Sequence, residues 1–190
     1  LYATLNSGKA RHTFAFDPHQ CMAPLPRACQ WAHASGYLNH VALVRRARGA
    51  EMPEDARREP LLYQGGSDAM LGPTDDALFF DEDLGIDFEA ELAVVTGDVP
   101  MAATPAQALD AVRLLLLVND WTLRHRVPAE MAKGFGLVQS KPATAFGPVA
   151  VTPRSLRSAD GVVPAAAVAP ARVPVPSARA PRVHSPTCTA

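Results

Sequence analysis

From Gly85 to Val95 the chain reads Gly-Ile-Asp-Phe-Glu-Ala-Glu-Leu-Ala-Val-Val, alternating acid and apolar residues and then turning fully apolar. Period-two alternation predicts a strand with one buried face. On that strand Asp87, Glu89 and Glu91 share one face, and Phe88, Ala90 and Leu92 the other. Asp98 and Pro100 then stop it. Thr104-Pro105 supplies an N-cap and a first-turn proline. An apolar helix is predicted over Ala106 to Val118, with Gln107, Asp110 and Arg113 on its polar side. Asp120 would then lie at the end of a buried helix. Asn39 to Val44 is expected to be a buried strand. Pro60 to Gln64 predicts a short strand entering a glycine turn, and Phe146 to Thr152 a strand leaving one. Leu1 to Lys9 has the character of a helix end, with Gly8 near its stop. Ala129 to Gly136 forms a short segment closed by its two glycines, Gly134 and Gly136. The sum is an α+β, predominantly β chain.

Length changes this picture little: 190 residues suit one domain, or one domain with a tail. Charge changes it more. Residues 1–153 carry 13 Lys+Arg and 18 Asp+Glu, a net −5, whereas residues 154–190 carry five Arg and one Asp, a net +4. Those last residues also hold six Pro, nine Ala and six Val and no aromatic side chain. No periodicity survives there, so the segment is expected to be disordered or poorly packed. It reads either as a natural tail or as out-of-frame translation of GC-rich DNA. The abrupt loss of acids and aromatics favours the second. The domain reading is a remnant of an N-terminal region over 1–22, a partial catalytic domain over 23–153, and the tail over 154–190. The first residue is Leu1, and the chain is expected to begin inside a longer product.

A net charge of −1 gives no electrostatic case for nucleic acid or an anionic membrane. The longest aliphatic run, Leu114 to Val118, is far too short to span a bilayer. Cys21, Cys29 and Cys188 are too scattered for a disulfide framework or a zinc knuckle, so a reduced, cytoplasmic setting is expected.

The chemistry lies in the acids. From Asp75 through Val112 there are ten acids and no Lys or Arg. Three carboxylates along one strand face repel each other unless a cation lies over them. Such a face is either solvated or an oxygen-ligand site for a hard divalent cation. Val118-Asn119-Asp120-Trp121 adds a further carboxylate at the end of a buried element, which favours the second reading.

Five segments taken together resemble the fumarylacetoacetate hydrolase family. They are Tyr63-Gln64-Gly65, Asp87-Phe88-Glu89-Ala90-Glu91-Leu92, Val118-Asn119-Asp120-Trp121-Thr122-Leu123-Arg124, Lys133-Gly134-Phe135-Gly136 and Lys141-Pro142. The resemblance covers about residues 20–153. It implies a catalytic domain built on a rolled mixed β-sheet, here apparently truncated, and a homodimer in the intact fold. It also implies a carboxylate-bound divalent cation, Mg²⁺ or Ca²⁺ with Mn²⁺ as a further choice. The implied substrate is a small diketo or 2-oxo acid. By position, Glu89, Glu91 and Asp120 match the metal carboxylates, and His40 the histidine that activates water. Arg48 and Tyr63 match residues holding the substrate's acid groups, and Lys133 a lysine near the developing oxyanion. Asp87 is expected at the strand surface or behind the ligands, and Asp68 and Arg124 in structural roles. The family's first metal carboxylate falls seven residues before His40, where this chain has His33, a candidate ligand that suits Mn²⁺, Zn²⁺ or Fe²⁺ better than Mg²⁺. Taken without the family, His40 reads equally well as a core residue, and Tyr63 more readily as core than as a site residue.

The function implied is metal-dependent hydrolysis of a carbon–carbon bond in fumarylacetoacetate or a similar acylpyruvate. A 1,3-diketone chelates a hard cation, a neutral imidazole can take a proton from water, and Lys and Arg suit a dianionic substrate. Alternatives are a 2-oxo acid hydratase, decarboxylase or isomerase of the same superfamily, or a non-catalytic fragment that keeps the metal motif.

Overall fold

In the computed structural model, residues 2–156 are described. The N-terminal helix α1 (Tyr2–Asn6) ends before Gly8, which takes the left-handed conformation that stops a helix. A two-stranded ribbon follows, β1 (Trp31–Ser35) paired antiparallel with β2 (Leu61–Gly65), with helix α2 (Leu38–Ala47) between them. The register sets His33 directly opposite Tyr63. The stretch expected to be a strand at Asn39–Val44 is therefore helical. Leu38, Val41 and Arg45 recur at helical spacing and line one cavity with Pro53, Ala56 and Leu61. No residue of α2 is fully buried, so the apolar run never meets a second sheet neighbour.

The acid-apolar stretch forms two strands rather than one. β3 (Ile86–Asp87) and β4 (Ala90–Thr96) are separated at Phe88 and Glu89. Helix α3 (Pro105–Asp110) has the expected start: Thr104 and Gln107 form a reciprocal capping box, with Pro105 in the first turn. It stops at Ala111, and the leucine run becomes β5 (Val112–Asn119). The predicted helix through Val118 is thus overturned. β5 is the central strand of a sheet ordered β4-β5-β7, where β7 is Ala145–Val151. A central strand needs apolar side chains on both faces, so it shows no alternation that would set it apart from a buried helix. Arg113, read as part of a helical polar stripe, instead lies on exposed β5 surface across from Gly97.

One short strand and two helices follow: β6 (Thr122–Leu123), paired with β3, then α4 (Val127–Met131) and, after β7, α5 (Pro153–Leu156). All strand pairs are antiparallel, and one isolated parallel bridge joins Leu71 to Ala145. The architecture is mixed α+β and mostly sheet, with short helices, as expected. Ala93, Leu116, Val118 and Phe146 bury one face of the three-stranded sheet with Ala23, and Trp31 packs edge-on to Phe146 at 5.6 Å. That contact docks the β1-β2 ribbon against the sheet and so brings His33 and Tyr63 over the end of β5. No helix among the described residues is long and apolar enough to cross a membrane. Apart from residues 154–156, which end in α5, the tail reading falls outside the described residues.

Candidate active site

The break between β3 and β4 is what builds the site. At Glu89 the regular ladder gives way: its N–H donates to the Asn119 side chain at 3.0 Å, and its carbonyl accepts from Asp120 N at 3.0 Å. This pins Glu89 beside the end of β5, where Asp120 leaves the sheet. Asp120 is 1 % exposed. A buried carboxylate needs partners for its lone pairs, and this one is surrounded by them. Its Oδ2 lies 2.9 Å from His33 Nδ1 and accepts from Tyr63 OH at 2.8 Å and Lys141 Nζ at 2.8 Å. Its Oδ1 accepts from Thr144 Oγ1 at 2.9 Å.

Lys141 is the second centre of the cluster. Its ammonium donates to Glu89 Oε2 at 2.6 Å, to Thr122 Oγ1 at 2.6 Å and to the Asp120 carbonyl at 3.2 Å, besides Asp120 Oδ2. The other oxygen of Glu89 accepts from Arg124 Nη2, and Arg124 Nε donates to Asp87 at 2.7 Å. Glu91 reaches in from β4, its Oε2 at 3.6 Å from His33 Nδ1. His33 and Tyr63 stack with ring centroids 4.9 Å apart, as their cross-strand register requires.

These contacts set the protonation states. Burial opposes the charge on Asp120, but the hydrogen bond from His33 and the Lys141 ammonium outweigh it and hold its carboxyl far below the usual range. Burial likewise opposes Glu89, and Lys141 and then Arg124 overcome it, leaving that carboxyl low. Glu91 goes the other way. Burial pushes its carboxyl up, His33 pulls it down, and the charges of Asp120 and Glu89 push it up further. The His33 imidazole is raised by its bond to Asp120, against burial and with the help of Glu91. Burial and the Asp120 charge drive the Tyr63 phenol far up, so it stays a donor.

One ligand atom from each of His33, Glu91 and Asp120 lies within 4.8 Å of the other two. The donor set, two carboxylates and an imidazole, fits a divalent cation. The expected set of Glu89, Glu91 and Asp120 is arranged differently. Glu89 is beside the others, with its oxygens bonded to Lys141 and Arg124, as those of Asp120 are to His33, Tyr63, Lys141 and Thr144.

The remaining candidates divide. His40, on α2, places Nε2 3.5 Å from Glu89 Oε1 with its side chain 44 % exposed, at the open side of the cluster. Tyr63, expected to bind substrate, hydrogen-bonds to Asp120 inside it. Arg48 caps the end of α2, is exposed, and makes no ion pair with the cluster. Lys133 is exposed just beyond α4, and among the described residues it too makes no ion pair. The lysine that the structure brings to the carboxylates is Lys141. In the sequence it stood out as part of the Lys141-Pro142 segment of the family resemblance and as one of three lysines against fifteen arginines, marks it shared with Lys133 in its own segment. Arg124, expected in a structural role, holds Glu89, and Asp87, expected at the strand surface or behind the ligands, anchors Arg124 in turn, while Asp68 has no ion pair with the cluster. Thr122, Thr144 and Asn119 carried no chemical signal in the sequence beyond the motif that contains Asn119 and Thr122.

A mostly β domain thus gathers three carboxylates, an imidazole and a buried ammonium at one end of its sheet. The chain belongs to the fumarylacetoacetate hydrolase family: the sequence pattern of the fumarylacetoacetate (FAA) hydrolase C-terminal region matches residues 29–174. An uncharacterized protein of Pyrococcus horikoshii is 27 % identical over 118 residues, which cover 62 % of this chain and 48 % of that protein. The chain thus spans about half the length of this curated relative.

Proposed function

We propose that this site hydrolyses a carbon–carbon bond in a small diketo acid of the acylpyruvate type, with a divalent cation held by His33, Glu91 and Asp120. The observation that carries the reading is the placing of Lys141 Nζ against both Glu89 and Asp120, beside the three converging ligand atoms. Held by His33, Glu91 and Asp120, such a cation would supply Lewis-acid polarisation of a substrate carbonyl. The imidazole among its ligands favours Mn²⁺ over Mg²⁺ or Ca²⁺.

The chain's own groups do the rest. His40 at the open side takes a proton from water, oriented by Glu89 at 3.5 Å. The hydroxide oxygen adds to the acyl carbonyl. The carbon–carbon bond then breaks, its electron pair passes to the 2-oxo acid fragment, and a proton returned to that carbon completes the balance. Lys141 offers its ammonium to the developing negative oxygen. Tyr63, kept protonated, holds Asp120 in position. Arg48 is the proposed contact for the distal carboxylate of the substrate. The intact domain is proposed to act as a cytoplasmic homodimer.

Calorimetric titration of the full chain with Mn²⁺ and Mg²⁺ tests the site, and release of a 2-oxo acid from an acylpyruvate tests the reaction. No cation binding in the wild type, together with unchanged behaviour of Glu91→Ala, refutes the metal reading. Metal binding with loss of CO₂ from a 2-oxo acid, and no hydrolysis, makes the decarboxylase the correct member of the superfamily.

A further inference from the structure

We infer that Glu130 is a positioning residue: its carboxylate clasps residues 138–140 and thereby holds the Lys141 ammonium in the site. The inference rests on the proposed role of Lys141, but its primary test requires neither metal nor substrate. Glu130 belongs to α4, outside the cluster of ionic groups, and no cation pairs with it among the described residues. Instead it accepts three successive backbone N–H groups, from Val138 at 3.0 Å, Gln139 at 2.7 Å and Ser140 at 2.8 Å, and the hydroxyl of Ser140 as well.

Three consecutive amides aimed at one carboxylate form an anion-holding nest, here filled by the chain's own side chain. Such charge-assisted bonds lie at the strong end of the hydrogen-bond range. Ser140 is fully buried and is also gripped from the far side, where its carbonyl accepts from Leu123 N at 2.8 Å. Its neighbour Lys141 follows directly. The lysine stem is long and carries substantial rotamer entropy, and its ammonium must be held among Glu89, Asp120 and Thr122. Fixing the backbone one residue earlier removes much of that freedom before the ammonium makes any bond. The clasp also explains why residues 132–139, which are almost wholly exposed and include Gly134 and Gly136, deliver a lysine to a buried site.

The test is site-resolved acetylation of the full chain, read by mass spectrometry on Lys9, Lys133 and Lys141. In the wild type Lys141, whose side chain is 7 % exposed, reacts far more slowly than the exposed pair. Glu130→Gln keeps the shape but replaces one acceptor oxygen by an NH₂ facing an amide. It should speed acetylation of Lys141 at least ~10-fold, the factor for one lost charge-assisted hydrogen bond, and leave Lys9 and Lys133 unchanged. Glu130→Asp, which keeps the charge on a shorter arm, should fall between. A Val118→Ala variant of matched stability controls for general loosening and should leave Lys141 slow. An unchanged Lys141 rate in Glu130→Gln overturns the inference, as does equal acceleration in the Val118→Ala control or loss of fold in both Glu130 variants. A second readout is Mn²⁺ affinity. Glu130→Gln should shift it in the same direction as Lys141→Met, and add nothing in the Lys141→Met background. Faster acetylation with no Mn²⁺ binding by the wild type upholds the clasp and refutes the metal reading.

Discussion

Replacing Lys141 by Met keeps the length of the side chain and removes its charge. Glu89 and Asp120, each under a tenth exposed, then lose the ammonium that lies 2.6 and 2.8 Å from them. Breaking a buried ion pair from one side typically costs about 3–5 kcal/mol, because the remaining charge stays buried without compensation. Here the remaining charges keep some partners. Arg124 still pairs with Glu89, and His33 and Tyr63 still bond to Asp120. The loss at neutral pH should therefore fall near the lower end, about 3 kcal/mol, a large part of a domain's ordinary stability. Urea unfolding followed by the fluorescence of Trp31 and Trp121 measures it. The pH dependence has a definite sign. In the wild type both carboxyls are held low, so their contribution is present above the ordinary carboxylate range and is lost only in strong acid. In the variant burial acts with less opposition and the folded-state values rise, so the penalty is greatest at neutral pH and shrinks as protons bind. The gap between the two proteins should thus narrow from pH 7 towards pH ~5, near the ordinary carboxylate range. Saturating Mn²⁺, at about 100 times its Kd, should return about 2.7 kcal/mol to the variant. A gap under about 1 kcal/mol at pH 7, or one that does not change with pH, would refute the placing of Lys141 between these carboxylates.

Four further outcomes are expected. His40→Ala should lower turnover by roughly 10²–10⁴-fold with little change in cation affinity, since His40 lies against Glu89 and not among the three converging ligand atoms; parallel calorimetry and steady-state assays check this, and loss of cation binding in a folded variant would make His40 a ligand. His33→Asp should move the cation preference from Mn²⁺ towards Mg²⁺, read as the ratio of the two affinities, and an unchanged ratio would remove His33 from the ligand set. Gly85→Ala should destabilise by roughly 1–3 kcal/mol in a thermal melt, because Gly85 sits at φ +69° and an added Cβ would meet the His125 ring at 2.9 Å, whereas Thr104→Ala, losing only the exposed capping box, should cost about 1 kcal/mol and leave turnover intact.

The sequence by itself determined what depends on neighbouring residues. Thr104-Pro105 fixed the start of α3 because a cap and a first-turn proline act within four residues. Pro60–Gln64 and Phe146–Thr152 marked β2 and β7 through local punctuation and apolar pattern. The spacing of Glu89, Glu91 and Asp120 marked a concentration of negative charge that a folded chain has to neutralise. What neutralises it was a tertiary decision. Leu114–Val118 has the same composition as a helix or as a strand, and only pairing with β4 on one side and β7 on the other made it a strand. That choice carried Asp120 to the end of a strand, within reach of His33 from the ribbon. Lys133 and Lys141 were equally conspicuous along the chain, both rare lysines in the same motif region. Only the clasp of Glu130 on residues 138–140 set one against the carboxylates, while the other stayed exposed beyond α4. Glu89 was legible as a site carboxylate, but its oxygens went to Lys141 and Arg124. Which cation meets which carboxylate is set by bonds between residues 21 to 52 positions apart, and no local pattern records them.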